Sequence, residues 1–422
     1  MSLYLGIDLG TSACRACVID DERRECASAA APLPAAVREG RAVEQDPTLW
    51  WAALETTLDA LCSRIDAARV RCIAVDATSA TLLLCRPDGA PLTPALMYND
   101  TRAAPQAERI AAVAPTDSPA RGASSSLAKL LHLAEKTNGD CIALHQADWL
   151  LGRLSGRFGV SDENNALKLG YDPVTRRWPD WLQELGLPHG CLPVVVPPGT
   201  PVGPVLPAWR RRWGFADDTE MVTGTTDSTA AFLATGAREP GTAVTSLGST
   251  LVLKVLARQP VSASACGVYS HRLGDRWLAG GASNSGGAVL RQFFSDRQLA
   301  ELSCAIRARR ASCLNYYPLP APGERFPLSD PALPPVMTPR PHSDVRFLHG
   351  LLEGMARIER RGYRLLAELG APWPDRVISI GGGAVNEQWR QIRERLLGVP
   401  VVRARHQEAA YGAALLARDG TG

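Results

Sequence analysis

The chain opens with an apolar run, Leu3–Leu9, interrupted by one acid at Asp8; Gly10-Thr11-Ser12 follows, and a second run climbs through Cys17-Val18-Ile19. Two short apolar runs around a glycine turn predict a tight β-hairpin. The shape returns at Thr242–Leu256, with Gly248-Ser249-Thr250 at its bend. After the first hairpin, Glu25–Ala31 reads as a third antiparallel strand. Asp46-Pro47 ahead of Leu54, Leu58 and Leu61 predicts a capped helix. Val70–Val75 reads as a buried strand delivering Asp76-Ala77-Thr78-Ser79, and Thr81–Cys85 with Leu92–Met97 as another hairpin. Helical spacing covers 124–136 and 146–154; Glu220–Thr223 is strand-like, and Gly224 is expected to turn sharply into a helix over Ala230–Ala234.

Beyond the second hairpin come strands at Cys266–His271 and Arg276–Gly281, a glycine-rich helix entry over 280–287, and a solvated basic helix over 297–310. A proline-scattered stretch, Tyr316–Pro341, precedes the longest helical pattern, Val345–Leu369. The strand Arg376–Ile380 leads into Gly381-Gly382-Gly383 and a helix expected to hold Asn386 and Trp389 on one face. Gln407–Ala417 is the final helical pattern, with small residues suited to close docking.

At 422 residues the chain suits two domains of about 200 residues each. Its 45% hydrophobic and 21% charged content is that of a globular protein. A net charge of +3, without a basic stripe interleaved with aromatics, argues against nucleic acid or an anionic membrane as partner. No apolar stretch approaches the ~20 residues a membrane span needs. Eleven scattered cysteines and the absence of a basic-then-apolar leader lead us to expect a reducing cytoplasm. Cys14 and Cys17, three apart on a strand, should face opposite sides and form no pair.

The hairpin turns hold the chemistry. Gly10 can take a positive φ and lets another backbone approach closely, and Thr11 and Ser12 offer hydroxyls and N–H groups to anionic oxygens. Asp8 is a hard ligand suited to Mg²⁺ or its water shell. Each feature alone also fits an ordinary hairpin; the second copy suggests a duplicated fold aiming both turns at one phosphate chain. Asp100 and Arg102 could bond vicinal hydroxyls and a carbonyl, or cap and decorate a helix start. Asp162 is either an N-cap or a site residue. Asp227 is compatible with both a cap and a general base. No G-x-x-x-x-G-K-[ST] occurs, and no G-x-G-x-x-G follows the first strand, which argues against P-loop and nicotinamide-dehydrogenase readings.

DLGTS near the N-terminus, TTDSTAAFLATG at 225–236, SLGST, GGASNSGGAVLRQFF at 280–294 and IGGGAVNEQWRQI at 380–392 together resemble the FGGY carbohydrate kinases of the actin/hexokinase/Hsp70 superfamily. The resemblance implies an α/β fold of two RNase H-like, actin-like ATPase domains related by duplication, with an interdomain cleft. It places a sugar-binding domain over 1–234, a nucleotide-binding domain over 235–404, and a helix 405–422 packing back on the first. It implies Asp227 as catalytic base, and Asp8, Ser12, Thr78, Ser79, Asp100, Arg102 and Asp227 around the sugar. Gly10, Thr11, Ser12, Gly248, Ser249, Thr250, Gly286, Gly382, Gly383, Asn386 and Trp389 would hold ATP, with Asp8 on Mg²⁺ through water. Pro322-Gly323-Glu324-Arg325 matches the family's GER loop, so the 316–341 segment could join the site. The compact length resembles the short branch acting on D-ribulose; D-xylulose or another polyol or ketose is the alternative, and the state is monomer or homodimer. A reading of another class is an actin-fold ATP binder without metabolite kinase activity.

Overall fold

A computed structural model describes residues 1–137 and 139–420, so the last two residues of the expected 405–422 helix lie outside the described residues. The chain divides into two compact units: Met1–Gly236 with His271–Gly274 and the residues from His406 on, and Ala237–Ser270 with Asp275–Arg405.

In the first unit, Leu3–Leu9 and Ala13–Asp20 form the expected hairpin, and Glu25–Pro32 extends it antiparallel. Val70–Ala77 lies parallel on the other side of Leu3–Leu9, followed by Glu220–Thr226, also parallel, and then Pro201–Pro204. Cys14 and Cys17 do point to opposite faces, into separate apolar clusters. One face is covered by the helix Pro47–Cys62, whose cap Asp46 accepts from Thr48 N–H at 2.8 Å and whose Trp50, Leu54, Leu58 and Leu61 are buried. Ala409–Asp419 covers the other face. Its backbone comes so close that a Cβ on Gly6 would overlap Ala410 and Ala414, and one on Gly412 would overlap Ala230.

Gly224 departs from expectation. It makes no turn; it lies within the strand Glu220–Thr226, at a register shift against Val70–Ala77 between Val222 and Thr225. Only a residue without Cβ fits there, because the position abuts the carbonyl of Val75. The irregularity re-aims the strand end just before Asp227.

The second unit repeats the plan. Thr242–Leu247 and Leu251–Ala257 form the hairpin, and Arg276–Ser283 then Tyr269–Leu273 extend it. Arg376–Ile380 and Val401–Arg403 add in parallel on the far side. The helix Asp344–Glu368 packs on the sheet. Where it approaches closely, Gly362 and the strand residue Gly281 leave room for the fully buried ring of Phe326. Beneath the hairpin, Arg393 grips Glu359 with two 2.7 Å bonds and Ser379 Oγ with a third, while Thr245 Oγ1 donates to Glu359 at 2.6 Å. Both charges are buried, and this network satisfies them. The expected 297–310 helix is shorter, ending at Cys304.

Candidate active site

The first unit gathers three carboxylates at the carboxyl ends of its central strands. Parallel register sets Asp8 beside Asp76, and Asp76 beside Thr225. Asp227 is the first residue of the helix Asp227–Ala234, half-buried, where a carboxylate meets the helix's unpaired N–H groups; its Oδ1 accepts from Ser228 N–H at 2.6 Å. Burial first, and then the negative charge of Asp227, push the Asp8 carboxyl up to about 6, although Arg15 at 3.4 Å pulls the other way. Asp76 is wholly buried and held well above the carboxylate range by burial and by Asp8. Neither of its oxygens has a hydrogen-bond partner. Burial and the neighbouring Asp8 charge thus favour the neutral form of the Asp76 carboxyl. Asp76 was legible only as the start of the Asp76–Ser79 run; its pairing with Asp8 depends on a parallel register no local pattern shows.

At the turn, Thr11 and Ser12 are exposed, and Gly10 N–H donates to Ala13 O at 3.1 Å. Neither Gly10 nor Gly248 adopts a positive φ, so the freedom Gly10 offers goes unused. Gly10 instead leaves space for Arg15, whose guanidinium would lie 3.3 Å from a Cβ there.

Thr78 is buried. Its N–H and hydroxyl both donate to Gln146 Oε1, at 3.3 and 2.6 Å, and its Oγ1 also lies 2.6 Å from Thr81 Oγ1. Ser79 is more open, and Ala80 beside it takes a φ of 65°, with its carbonyl accepting from the buried Lys129 ammonium at 2.6 Å. Asp100 caps no helix; the next one, Ala104–Val113, begins after Ala103. Asp100 is wholly buried, accepting from Val43 N–H at 2.6 Å and from Arg102 Nε at 2.9 Å. Of the pair, Arg102, bonded also to Glu44, retains exposed surface. Asp162 is the N-cap of Glu163–Ala166, and burial pushes it up to about 7. A Ser126–His145–Asp148 chain, 3.1 and 2.8 Å, has the residue types of a nucleophilic triad, but Ser126 and His145 are fully buried and the chain serves as a helix cap.

The second unit holds a cavity of about 810 Å³, in the range of small-molecule sites. Gly248, Ser249, Gly382, Gly383, Asn386 and Trp389 of the expected ATP set line it. Gly286, at φ 148°, lies behind the rim, where a Cβ would press on Ser249 O, and Gly287 N–H and Ala288 N–H donate to Gly248 O and Ser249 O at 2.9 and 3.1 Å. The hairpin bend is thus braced through its carbonyls, leaving the Ser249 hydroxyl exposed and Thr250 partly so. Asn386 precedes the helix that carries Trp389 instead of lying on it. Asn386 is the N-cap, its Oδ1 accepting from Trp389 N–H at 2.9 Å and its amide donating to Ser303 Oγ at 2.8 Å. Trp389 is a buried core residue packed over Gly383. Glu324 of the 316–341 segment is buried, accepting from Ser283 Oγ at 2.6 Å and Asn284 N–H at 2.8 Å; it braces the glycine-rich stretch from behind.

Among the described residues no three His, Cys, Asp or Glu side chains are gathered to enclose a metal, and no helix is long and apolar enough to cross a membrane. A single acid beside a bend of hydroxyls and N–H groups would suit Mg²⁺, which keeps waters and substrate oxygens as its main ligands.

Residues 3–234 match the N-terminal domain, and residues 243–418 the C-terminal domain, of the FGGY family of carbohydrate kinases. The chain is 24% identical over 448 residues to a xylulose kinase of Bacillus subtilis strain 168, covering 100% of this chain and 89% of that one. It is 29% identical over 453 residues to a xylulose kinase of Streptomyces rubiginosus, covering 98% and 86%. Ligand-bound xylulose kinase from Lactobacillus acidophilus superposes with a TM-score of 0.88 at 19% identity, covering 100% and 89%. These matches set aside a nucleotide binder without kinase activity and show a two-domain fold of the actin-like ATPase type. Since both family domains are met in order across nearly the whole length, the chain belongs to the FGGY family of carbohydrate kinases and is an ATP-dependent sugar kinase.

Proposed function

We propose that this kinase transfers the γ-phosphate of ATP to a primary hydroxyl of a small ketose, D-ribulose giving D-ribulose 5-phosphate, with Asp227 as general base. The observation that supports the base is its place at the first turn of a helix, following a strand irregularity, within the electrostatic reach of Asp8. Asp227 accepts the hydroxyl proton as the oxygen attacks; positioning and charge neutralisation do most of the rest. Ser12, Ser79 and Arg102 contact the acceptor, with Thr78 and Asp100 buried behind them as supports. Thr11, Ser12, Ser249 and Thr250 donate to phosphate oxygens, and the cavity beside Gly382 and Gly383 takes the adenosine. Asp8 would hold Mg²⁺ through its waters, and the ion would neutralise charge on the phosphates.

The D-ribulose reading rests on the resemblance of the compact length to the family's short branch; the chain matches longer relatives over 86–89% of their length. The name those relatives bear, xylulose kinase, favours D-xylulose as the second reading. A cytoplasmic monomer or homodimer, divided functionally near residues 234 and 404, completes the proposal. An ADP-release assay over D-ribulose, D-xylulose, L-ribulose, glycerol and hexoses tests it, with Asp227→Ala as control. Turnover with D-ribulose above all others, lost in the variant, is expected; preference for D-xylulose moves the assignment to the second reading, and turnover surviving in Asp227→Ala removes the base.

A further inference from the structure

We propose that Arg291 is a direct ligand of the nucleotide's phosphates, supplying from outside the hairpin the positive charge that the second bend lacks. Arg291 is exposed and lines the 810 Å³ cavity together with Gly248 and Ser249. Its Nη2 donates to Ser249 Oγ at 2.7 Å, and it makes no ion pair among the described residues. The other charged residues lining the cavity are acids, Asp296 and Glu387, and Glu387 is already held by Arg390 at 2.7 Å. Arg291 is therefore the one cation there that a polyphosphate can meet.

The backbone explains why the guanidinium lies at the rim. Arg291 follows the one-turn helix Gly287–Leu290, whose first N–H is bonded to Gly248 O at 2.9 Å. A Cβ on Gly287 would stand 2.8 Å from Gly248 O, so the glycine lets this turn press against the bend and bring Arg291 to it. The bond to Ser249 uses a lone pair of the hydroxyl and leaves its proton to donate, so Ser249 O–H and the remaining guanidinium N–H groups can meet a phosphate together. Charge-assisted bonds of this kind are the stronger ones, and the planar fork matches phosphate geometry.

This inference rests on the cavity being the nucleotide site. Calorimetric titration of the full chain with ADP and with adenosine tests it for the native protein, Arg291→Gln and Arg291→Lys. Arg291→Gln is expected to weaken ADP about 10–100-fold while adenosine changes less than about twofold, and Arg291→Lys to recover part of the loss. The native-to-variant gap should shrink as salt rises. Equal weakening of ADP and adenosine, meaning that Arg291 only shapes the wall, or unchanged ADP affinity in Arg291→Gln, would overturn it. A native chain that binds neither compound would instead overturn the nucleotide reading itself; ADP bound equally by both proteins sinks Arg291 alone.

Discussion

The two hairpins are built alike and equipped differently. The first ends Asp8-Leu9-Gly10-Thr11-Ser12, the second Ser246-Leu247-Gly248-Ser249-Thr250. Where Asp8 faces Arg15 across the first hairpin and Asp76 on the next strand, Ser246 faces Val252 and Ile380. One strand-end position thus separates a buried acidic centre from a neutral bend. The supports differ in the same sense. Asp76 is left with no hydrogen-bond partner, whereas the charges beneath the second hairpin, Glu359 and Arg393, are fully bonded. Two hairpins of one plan can therefore differ in how their buried charges are met, the first unit keeping an unpaired carboxyl and the second a satisfied ion pair.

The sharpest way to break this comparison is Asp227→Ala. Turnover should fall about 10²–10⁴-fold with ADP affinity in the second unit unchanged, read by steady-state kinetics and calorimetry; a parallel loss of ADP binding would show that Asp227 supports the nucleotide and not the chemistry alone. Next, Glu359→Ala leaves Arg393 buried and unpaired, and urea unfolding should show a loss of about 3–5 kcal/mol. The acidic hairpin predicts a pH effect of its own. A carboxyl whose folded value is raised contributes stability that is complete below the unfolded value and is lost as pH climbs through the folded one. Asp8 rises from 3.8 to about 6, so the native chain should lose stability across that window and Asp8→Asn should lose less, read from melting temperatures on either side of it. An unaltered pH slope in Asp8→Asn would remove Asp8 as its source. The smallest effect is expected from Ser249→Ala: a roughly 2–10-fold rise in KM for ATP at constant kcat, for one hydroxyl lost.

Much of this was readable from local patterns. Both hairpins, the capped helix at Asp46, the strand Arg376–Ile380 and the helix opened by Asp227 follow from apolar spacing and turn residues within a few positions. What escaped depends on distant backbone. Asp76 becomes partner to Asp8 through a register linking residues far apart in the chain. Gly224 looks like a turn glycine until Val75 is seen against it. Asn386 has helical spacing to Trp389, yet cap and first-turn residue show the same spacing. Arg291 reads as one arginine among many, and only its bond to Ser249 singles it out.

Gly6 and Gly412 bring the earliest strand and the last helix into backbone contact. Ribosomal synthesis proceeds from one to the other, so the face bearing Cys17, Ile19 and Val222 waits uncovered until Ala410, Ala413, Ala414 and Leu415 have been made. The first unit to begin is the last to be sealed, and a nascent chain halted before residue 409 would present an open apolar sheet to whatever chaperone or neighbour it meets.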